Sequence, residues 1–458
     1  MNAPLPLSAA AAWGAACGAA LGALRTRDAA LHLLAKNRVL EAAGFLPLPG
    51  AGHGETLGSW LPAAAGALFF GLSLGLGAGT LLGLWVRVTR TLPSRVGRLA
   101  PWAALAVPFW AATAGDPLLA AALGAMAAGA LATQLPGRVA PARASALRAL
   151  VLVLMAVGFL PWATAPEGPF THLRDRHLLD TAVGRAVNGF YYRWTLYPAE
   201  VLKPVAALSQ PTAAAPVPLP ASVGERFCRD ALGWGVLCVD DPAGADLHLL
   251  SAEPGLELAR GGARVAWPQD PSARTDAWKA LSSLADRARA LRQATYWALF
   301  LGCPLALAWG FSSLALAAGA LLGGGRRSTL ASLAVAGLLA ASLGAAGRPD
   351  RSLSEVRARL GTEVAEAGEL RAALAAPSAV ERFYGARAAG RARLEADALV
   401  EALSDPVVNV RYAAAEALGR TGGGRSREAL LEVLRSPEEW YVKERAYAAL
   451  WRLGWRGR

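Results

Sequence analysis

Long runs of apolar residues dominate the first 165 residues and return between about 294 and 346. A helix needs about 20 apolar residues to cross the hydrocarbon core of a bilayer. The run 61–86 has no charged residue and is the clearest candidate. Prolines interrupt the short pair 99–114 and 117–135, which favours a tight helical hairpin with Asp116 at its tip. The pattern predicts seven membrane helices, over 8–24, 61–86, 99–114, 117–135, 149–165, 294–323 and 329–346.

Glycine recurs at every fourth position in two of these predicted helices. Four-residue spacing places such glycines on one face, and the absence of side chains there lets two helix backbones approach closely in lipid. The pattern therefore predicts helix packing through two glycine faces, formed by Gly14, Gly18 and Gly22 and by Gly71, Gly75, Gly79 and Gly83.

Arginine-rich loops predict the orientation of the chain. The loops 87–98 and 137–148 and the turn at Arg326 and Arg327 contain arginines and no acid. If every predicted helix crosses, all three lie on one side, and short basic loops are typical of the cytoplasmic side. Residues 166–293 and 348–458 are then extracytoplasmic. If 329–346 does not cross, the C-terminal region is cytoplasmic instead.

The polar segment 166–293 is long enough to form a small α+β domain. We expect a helix over 222–232, strands near 235–240, 246–251, 256–260 and 263–267, and a helix over 276–292. Gly261-Gly262 is typical of a hairpin turn between the last two strands. Residues 211–220 are rich in proline and alanine and are predicted to be a linker.

Five aromatic residues crowd a predicted helical stretch over 173–208. They could bind a ligand or glycan, but such clusters more often lie at a membrane interface or pack beneath a neighbouring domain. The cluster comprises Phe190, Tyr191, Tyr192, Trp194 and Tyr197.

Two of the four cysteines, Cys228 and Cys238, lie close together in the segment predicted to be extracytoplasmic. A disulfide persists in an oxidising compartment and would stabilise a domain with a small core. We therefore predict a Cys228–Cys238 disulfide. Cys17 and Cys303 lie in apolar runs and are interpreted as small hydrophobic residues.

Composition supports a membrane location and limits the candidate chemistry. Charged residues make up 17% of the chain, against about 25% in soluble proteins. The net charge is +12, but no compact Lys/Arg run of the nucleic-acid-binding type occurs. The spacing of the Cys and His residues does not match a zinc motif. We predict no metal, no cofactor and no nucleic-acid partner.

Candidate catalytic residues are few. Gly71 to Gly75 reads GxSxG, but the predicted spans contain no His or Lys to activate the serine. A membrane enzyme would require acids or histidines to converge at the end of a span. The candidates for this role are Asp116, His172, Asp175 and Asp180.

Residues from 351 onward are charged, alanine-rich and repetitive. Pro377, Pro406 and Pro437 are spaced by 29 and 31 residues, and each follows a Leu/Ala-rich helical stretch. The clearest unit reads Leu399-Val-Glu-Ala-Leu403, Ser404-Asp405-Pro406, Val410-Arg411 and Ala413-Ala-Ala-Glu-Ala-Leu418-Gly419. This pattern resembles the HEAT repeat family, in particular its short, bilin-lyase-like form of about 30 residues.

The resemblance implies stacked helix pairs and a surface that binds proteins or peptides. Arg382 and Arg411 recur at a spacing of 29 residues, and Arg445 follows in a similar place. They could form salt bridges or caps between repeats, for example Arg411 with Asp405. Alternatively, they could form a basic ladder that contacts a partner.

The sequence thus predicts a mainly α protein, with a polytopic transmembrane helix bundle, a small α+β extracytoplasmic insertion and a C-terminal HEAT-like α-solenoid. We expect a multi-pass protein of a bacterial inner membrane that acts as a scaffold or assembly factor and binds a protein partner through 351–458. A transport or lipid-handling component without ion coupling, and a membrane-bound sensor, are the alternatives. The predicted domains are 1–165 with five spans, 166–293, 294–347 with two spans, and 348–458.

Overall fold

The structure is a computed structural model of the chain. The predicted span 99–114 lies outside the residues that it describes. The described residues are 7–50, 60–90, 116–132, 142–165, 167–203, 212–216, 221–232, 236–239, 245–252, 255–321, 326–348, 350–361, 366–394 and 396–457.

The chain forms two compact units, and each contains several separate stretches of sequence. Unit one comprises residues 1–25, 63–176 and 289–350. Unit two comprises residues 26–62, 177–288 and 351–458.

Apolar helices make up unit one. Among the described residues, four helices, beginning at Leu7, Trp60, Arg289 and Arg327, are long and apolar enough to cross a membrane. The apolar helices that include 117–132 and 149–162 are shorter. The elements are α1 (Leu7–Ala42, shared with unit two), α2 (Trp60–Phe70), a π-helical turn (Gly71–Gly75), α3 (Leu76–Arg90), α4 (Pro117–Ala132), α5 (Ala142–Ala163), α6 (Pro169–Leu173), a π-helical turn (Arg174–Leu178), α11 (Arg289–Trp297), a π-helical turn (Ala298–Gly302), α12 (Cys303–Leu321) and α13 (Arg326–Ala346).

The two glycine faces of unit one lie against each other. A Cβ atom built on Gly14 would lie 2.4 Å from the carbonyl oxygen of Gly75, and one built on Gly18 would lie 2.6 Å from the Cα of Gly75. A Cβ atom built on Gly79 would lie 2.5 Å from the carbonyl oxygen of Ala10 and 2.9 Å from the Cα of Gly14. Backbone atoms therefore form the contact at Gly14, Gly18, Gly75 and Gly79, whereas Gly83 meets the side chains of Leu7 and Ala10.

A second group of helices in unit one packs around larger side chains. Val151 and Met155 of α5 are fully buried with Ala315 of α12 and Ala336 of α13. The indole nitrogen of Trp162 donates a hydrogen bond of 2.9 Å to the carbonyl oxygen of Leu343.

Unit two combines a mixed sheet with helical repeats. Its elements are α7 (Ala182–Trp194), α8 (Leu196–Glu200), β1 (Thr212–Pro216), α9 (Ala221–Leu232), β2 (Val236–Cys238), β3 (Leu247–Ala252), β4 (Gly255–Arg260), β5 (Ala263–Trp267), α10 (Pro271–Leu284), α14 (Arg351–Gly361), α15 (Ala367–Leu374), α16 (Ala379–Ala392), α17 (Ala396–Ala402), α18 (Val408–Thr421), α19 (Gly424–Arg435) and α20 (Trp440–Arg452).

The sheet has the strand order β2-β1-β3-β4-β5. The linker prediction for 211–220 was wrong in part, because Thr212–Pro216 forms β1 and pairs in parallel with both β2 and β3. Alanine and proline disfavour strands, so this one depends on its two neighbours. The helix predicted over 276–292 is also corrected: α10 begins at Pro271, where Asp270 caps it, and ends at Leu284.

The hairpin prediction at Gly261-Gly262 is confirmed. Arg260 of β4 pairs with Ala263 of β5, so that only these two glycines form the turn. Both have positive φ, at 56° and 89°, which glycine adopts without strain. Phe227, Leu249 and Leu258 form part of the buried core of this domain.

Helix α1 continues beyond the predicted span 8–24, so residues 25–42 of the predicted loop 25–59 are helical. Leu33 and Leu40 of this extension share one hydrophobic core with the C-terminal repeats. The side chain of Asn37 closes the turn that follows, because it exchanges hydrogen bonds of 3.0 and 2.8 Å with the backbone of Leu48.

An ion-pair cluster ties the extension of α1 to the sheet domain. The buried carboxylate of Asp246 lies 2.5 Å from the Lys36 ammonium and 2.7 Å from the His32 imidazole. Burial alone would raise the pKa of Asp246, but these two partners outweigh it and hold the pKa below its ordinary value. The contact therefore contributes stability above the ordinary pKa of a carboxyl, and this contribution is lost as the pH falls.

The structure joins Cys228 of α9 to Cys238 of β2, with Cα atoms 5.7 Å apart. We expect the Cys228→Ser variant to destabilise the sheet domain by roughly 2–3 kcal/mol, because the link constrains the unfolded chain. Thermal unfolding of the purified protein measures this, with Cys17→Ser as the control. Recovery of residues 228 and 238 as free thiols in non-reduced peptides would contradict the expectation.

Candidate functional site

The C-terminal repeats are three helix pairs, α15/α16, α17/α18 and α19/α20, preceded by α14. The second helices α16, α18 and α20 stack in a row. Leucines of the three first helices are fully buried, and so are valines near the start of the three second helices: Leu370, Leu399 and Leu430, and Val380, Val410 and Val442. No single pair buries its own apolar stripe, so the shared core depends on stacking.

A repeated arginine connects each helix pair to the next. Arg382 Nε lies 2.6 Å from Asp405 Oδ2, and its Nη1 donates to the carbonyl oxygens of Ala376 and Pro377. One repeat later, Arg411 Nε lies 2.9 Å from Glu438 Oε2, and its Nη1 donates to the carbonyl oxygen of Asp405.

Each of these arginines therefore pairs with the turn of the following repeat and caps the turn of its own repeat. Within the repeats the salt-bridge alternative therefore applies, but the predicted Arg411–Asp405 pair is wrong: Arg411 pairs with Glu438, and the Asp405 carboxylate pairs with Arg382. Contact of Arg382, Arg411 and Arg445 with a partner stays a prediction.

Arg445 does not occupy the same position as the other two arginines. Arg382 and Arg411 are four residues beyond the N-caps Ser378 and Val407, and the residue four beyond the N-cap Glu439 is Lys443. The Arg445 guanidinium lies 4.7 Å from the ring centre of Tyr412. Arg445 is two residues beyond Lys443 on the same helix, which places it roughly half a turn away from the ladder position.

We expect the Arg411→Ala variant to destabilise the repeats by roughly 1–3 kcal/mol, because it leaves the half-buried Glu438 without its partner. Hydrogen exchange of α18 and α20 in the full-length protein measures the loss. The control is Arg420→Ala, also in α18, which removes an exposed i,i+4 pair worth at most about 0.5 kcal/mol. Equal protection in both variants would contradict a structural role for Arg411.

Residues 180–203, here called the strap, cross the N-terminal ends of the three second helices. Asp180 caps α16: its Oδ1 accepts from the Ala379 backbone nitrogen at 2.6 Å, and its Oδ2 accepts from the Ser378 hydroxyl at 3.0 Å. Two repeats further on, Arg193 pairs with Glu439, the N-cap of α20.

The strap makes its most buried polar contact at α18. The Asn188 amide donates to the side-chain oxygen of Asn409, and the Asn409 amide donates to the Tyr192 hydroxyl at 2.8 Å. Asn188 and Asn409 are 3% and 1% exposed, so these hydrogen bonds supply partners to buried amide groups that water does not reach.

Aromatic rings bury the C-terminal half of the strap against α20. The Tyr192 and Tyr441 ring centres are 5.1 Å apart, and Tyr197 meets Trp440 edge to face at 5.5 Å. Beyond them, Lys203 lies between Glu200 and Glu444. Burial and the nearby Glu444 charge raise the pKa of Glu200. The aromatic cluster therefore packs beneath a neighbouring domain through Tyr192 and Tyr197, whereas Phe190 and Tyr191 remain exposed.

A groove of about 600 Å³ lies between the second and third repeats, next to the turns that follow α17 and α19. Three of its lining residues, Asp405, Glu432 and Glu438, are acids, and Arg411 is the lining base. Its apolar wall consists of Val400, Leu403, Ala429 and Val433. Arg382 and Arg411 pair with Asp405 and Glu438, so Glu432 is the lining acid that faces a partner. The groove therefore favours an apolar side chain beside a basic residue.

The candidate residues for a membrane enzyme have separate partners. Asp116 pairs with Arg25 and caps α4 by accepting from the Leu119 backbone nitrogen. The buried His172 lies 2.8 Å from Glu167 through Nδ1. Asp175 accepts from Arg174. Asp180 belongs to the strap.

Comparison with known families supports the repeat assignment. Residues 367–451 match the family model of HEAT repeats, which confirms the resemblance at the C-terminus. No curated protein matches the chain significantly. HEAT repeats commonly mediate protein interactions, so a protein-binding scaffold is the class of function that this region indicates.

Proposed function

We propose that this protein is an integral membrane scaffold or assembly factor that binds a protein partner in the groove between its second and third HEAT repeats. The groove carries the proposal, because it is an open concave surface on a fold that commonly binds proteins. Its partner would insert an apolar side chain between α17 and α19, with basic residues facing Glu432.

The proposed location is a bacterial inner membrane. The four long apolar helices support insertion in a bilayer. The arginine-rich loops and the Cys228–Cys238 pair support an extracytoplasmic position for residues 166–293 and for the repeats.

Co-purification of full-length variants from membranes tests the proposal. Glu432→Lys reverses one charge at the margin of the groove and should release the partner. Glu428→Lys makes the same change one turn earlier in α19, on an exposed position outside the groove lining, and should retain it. Equal recovery of a partner by both variants would exclude the groove.

The full chain is required for this test. Removal of the strap would uncover Trp440 and Tyr441, which are 7% and 2% exposed. A fragment containing only residues 351–458 would therefore present an apolar surface that the protein itself covers, and it would bind other proteins non-specifically.

A further inference from the structure

The strap helix α7 has two faces with different surroundings. Asn188 and Tyr192, four residues apart, face the repeats, and Gly184, a further four residues earlier, is buried on the same stripe. Successive residues of an α-helix are rotated by about 100°, so four other residues of α7 share a second face within an arc of about 60°. The centre of this face is more than a quarter-turn away from the face that contacts the repeats. This second stripe consists of Val183, Val187, Phe190 and Trp194.

The second stripe is apolar, and three of its four residues are exposed, whereas Trp194 is partly buried. Val183 is 76% exposed, and Val187 and Phe190 are each 52% exposed. The Phe190 and Trp194 rings lie side by side, with centres 6.4 Å apart. Contiguous exposed apolar residues usually mark a surface that binds a partner or a membrane. The apolar row on this 13-residue helix therefore indicates such a surface.

The residue types and the chain position favour a lipid surface as the occupant. Helix α7 contains no acid, its Arg185 is exposed, and its Arg193 is paired with Glu439. Aromatic rings beside arginines are typical of helices that lie in the interface plane of a bilayer. The apolar helix α5 ends at Ala163, only 19 residues before α7 begins at Ala182.

We propose that α7 lies in the headgroup region of the membrane, with Val183, Val187, Phe190 and Trp194 against the acyl chains and Asn188 and Tyr192 against the repeats. One helix then joins the HEAT repeats to the bilayer surface. This inference rests on the proposed membrane location. It adds a lipid-binding surface that is separate from the groove.

Photo-crosslinking in native membranes tests the inference. A p-benzoylphenylalanine probe replaces Phe190 in the full-length protein, a conservative change at an exposed ring. After irradiation, we expect mass spectrometry to find lipid on the peptide that contains position 190. A second chain with the same probe at Glu428, an exposed position on α19, is the control, and its peptide should carry no lipid adduct.

Each other outcome at position 190 overturns the inference. A protein adduct would mean that another protein, or a second copy of this chain, covers the stripe. The absence of any adduct would mean that the stripe faces water. Carbonate washing of the same membranes separates the two proposals: release of the chain would refute the membrane location itself, whereas retention without a lipid adduct would refute only the role of α7.

Discussion

Alanine at Gly75 is expected to destabilise the helix bundle of unit one by about 3 kcal/mol, at the upper end of overpacking costs. The added Cβ would lie 2.4 Å from the carbonyl oxygen of Gly14 and 2.9 Å from the Cα of Ala15. Both are backbone atoms, so no side-chain rotation can relieve the overlap. The helices would have to separate along the whole glycine face.

Thermal denaturation in detergent, followed by loss of the monodisperse peak, measures this effect. The control is Gly124→Ala, because a Cβ at Gly124 in α4 meets no atom within 4 Å. Alanine is also the better helix former, so this control should be neutral or slightly stabilising. If both variants denature together at the wild-type temperature, the two glycine faces do not pack as described.

Tyr197→Ala is expected to destabilise the packing of the strap on the repeats by roughly 3–5 kcal/mol. Tyr197 is 6% exposed and packs edge to face on Trp440, so its removal leaves a cavity in the core that the strap shares with α20. Since each 1.4 kcal/mol is a factor of ten, protection of the α20 amides should fall by at least about 100-fold.

Hydrogen exchange of the full-length protein in nanodiscs provides the measurement. Phe190→Ala is the matched control, because it removes an aromatic ring of the same strap at a position that is 52% exposed. The control should leave α20 unchanged. Unchanged protection in Tyr197→Ala would mean that the repeats fold without the strap.

Local patterns predicted the parts of this fold that depend on local spacing. The glycine intervals, the Gly261-Gly262 turn and the proline-spaced helix pairs each have a short repeat or a turn chemistry that sequence alone reveals. The HEAT resemblance rests on the same kind of signal. Its outer units match the repeat pattern less well, and the sequence therefore does not reveal that Lys443, not Arg445, occupies the third ladder position.

Contacts between distant segments could not be predicted in this way. Strand β1 has the composition of a linker, and only its pairing with β2 and β3 makes it a strand. No local sequence pattern marks the strap, because its residues contact partners about 200 residues away in the chain. Examples are Asn188 with Asn409 and Asp180 with Ala379. An asparagine that alternates with exposed apolar residues in a short helix is the signal that could have suggested a buried partner.

The most direct test of the scaffold is photo-crosslinking from the groove in intact membranes. The probe replaces Ser404, an exposed residue of the groove lining, so that Glu432 stays in place, and a second chain carries it at Glu428. We predict one discrete protein adduct at position 404, absent at 428, on a chain that resists carbonate extraction. A groove that captures no protein, or a chain that washes off the membrane, would contradict the proposed scaffold.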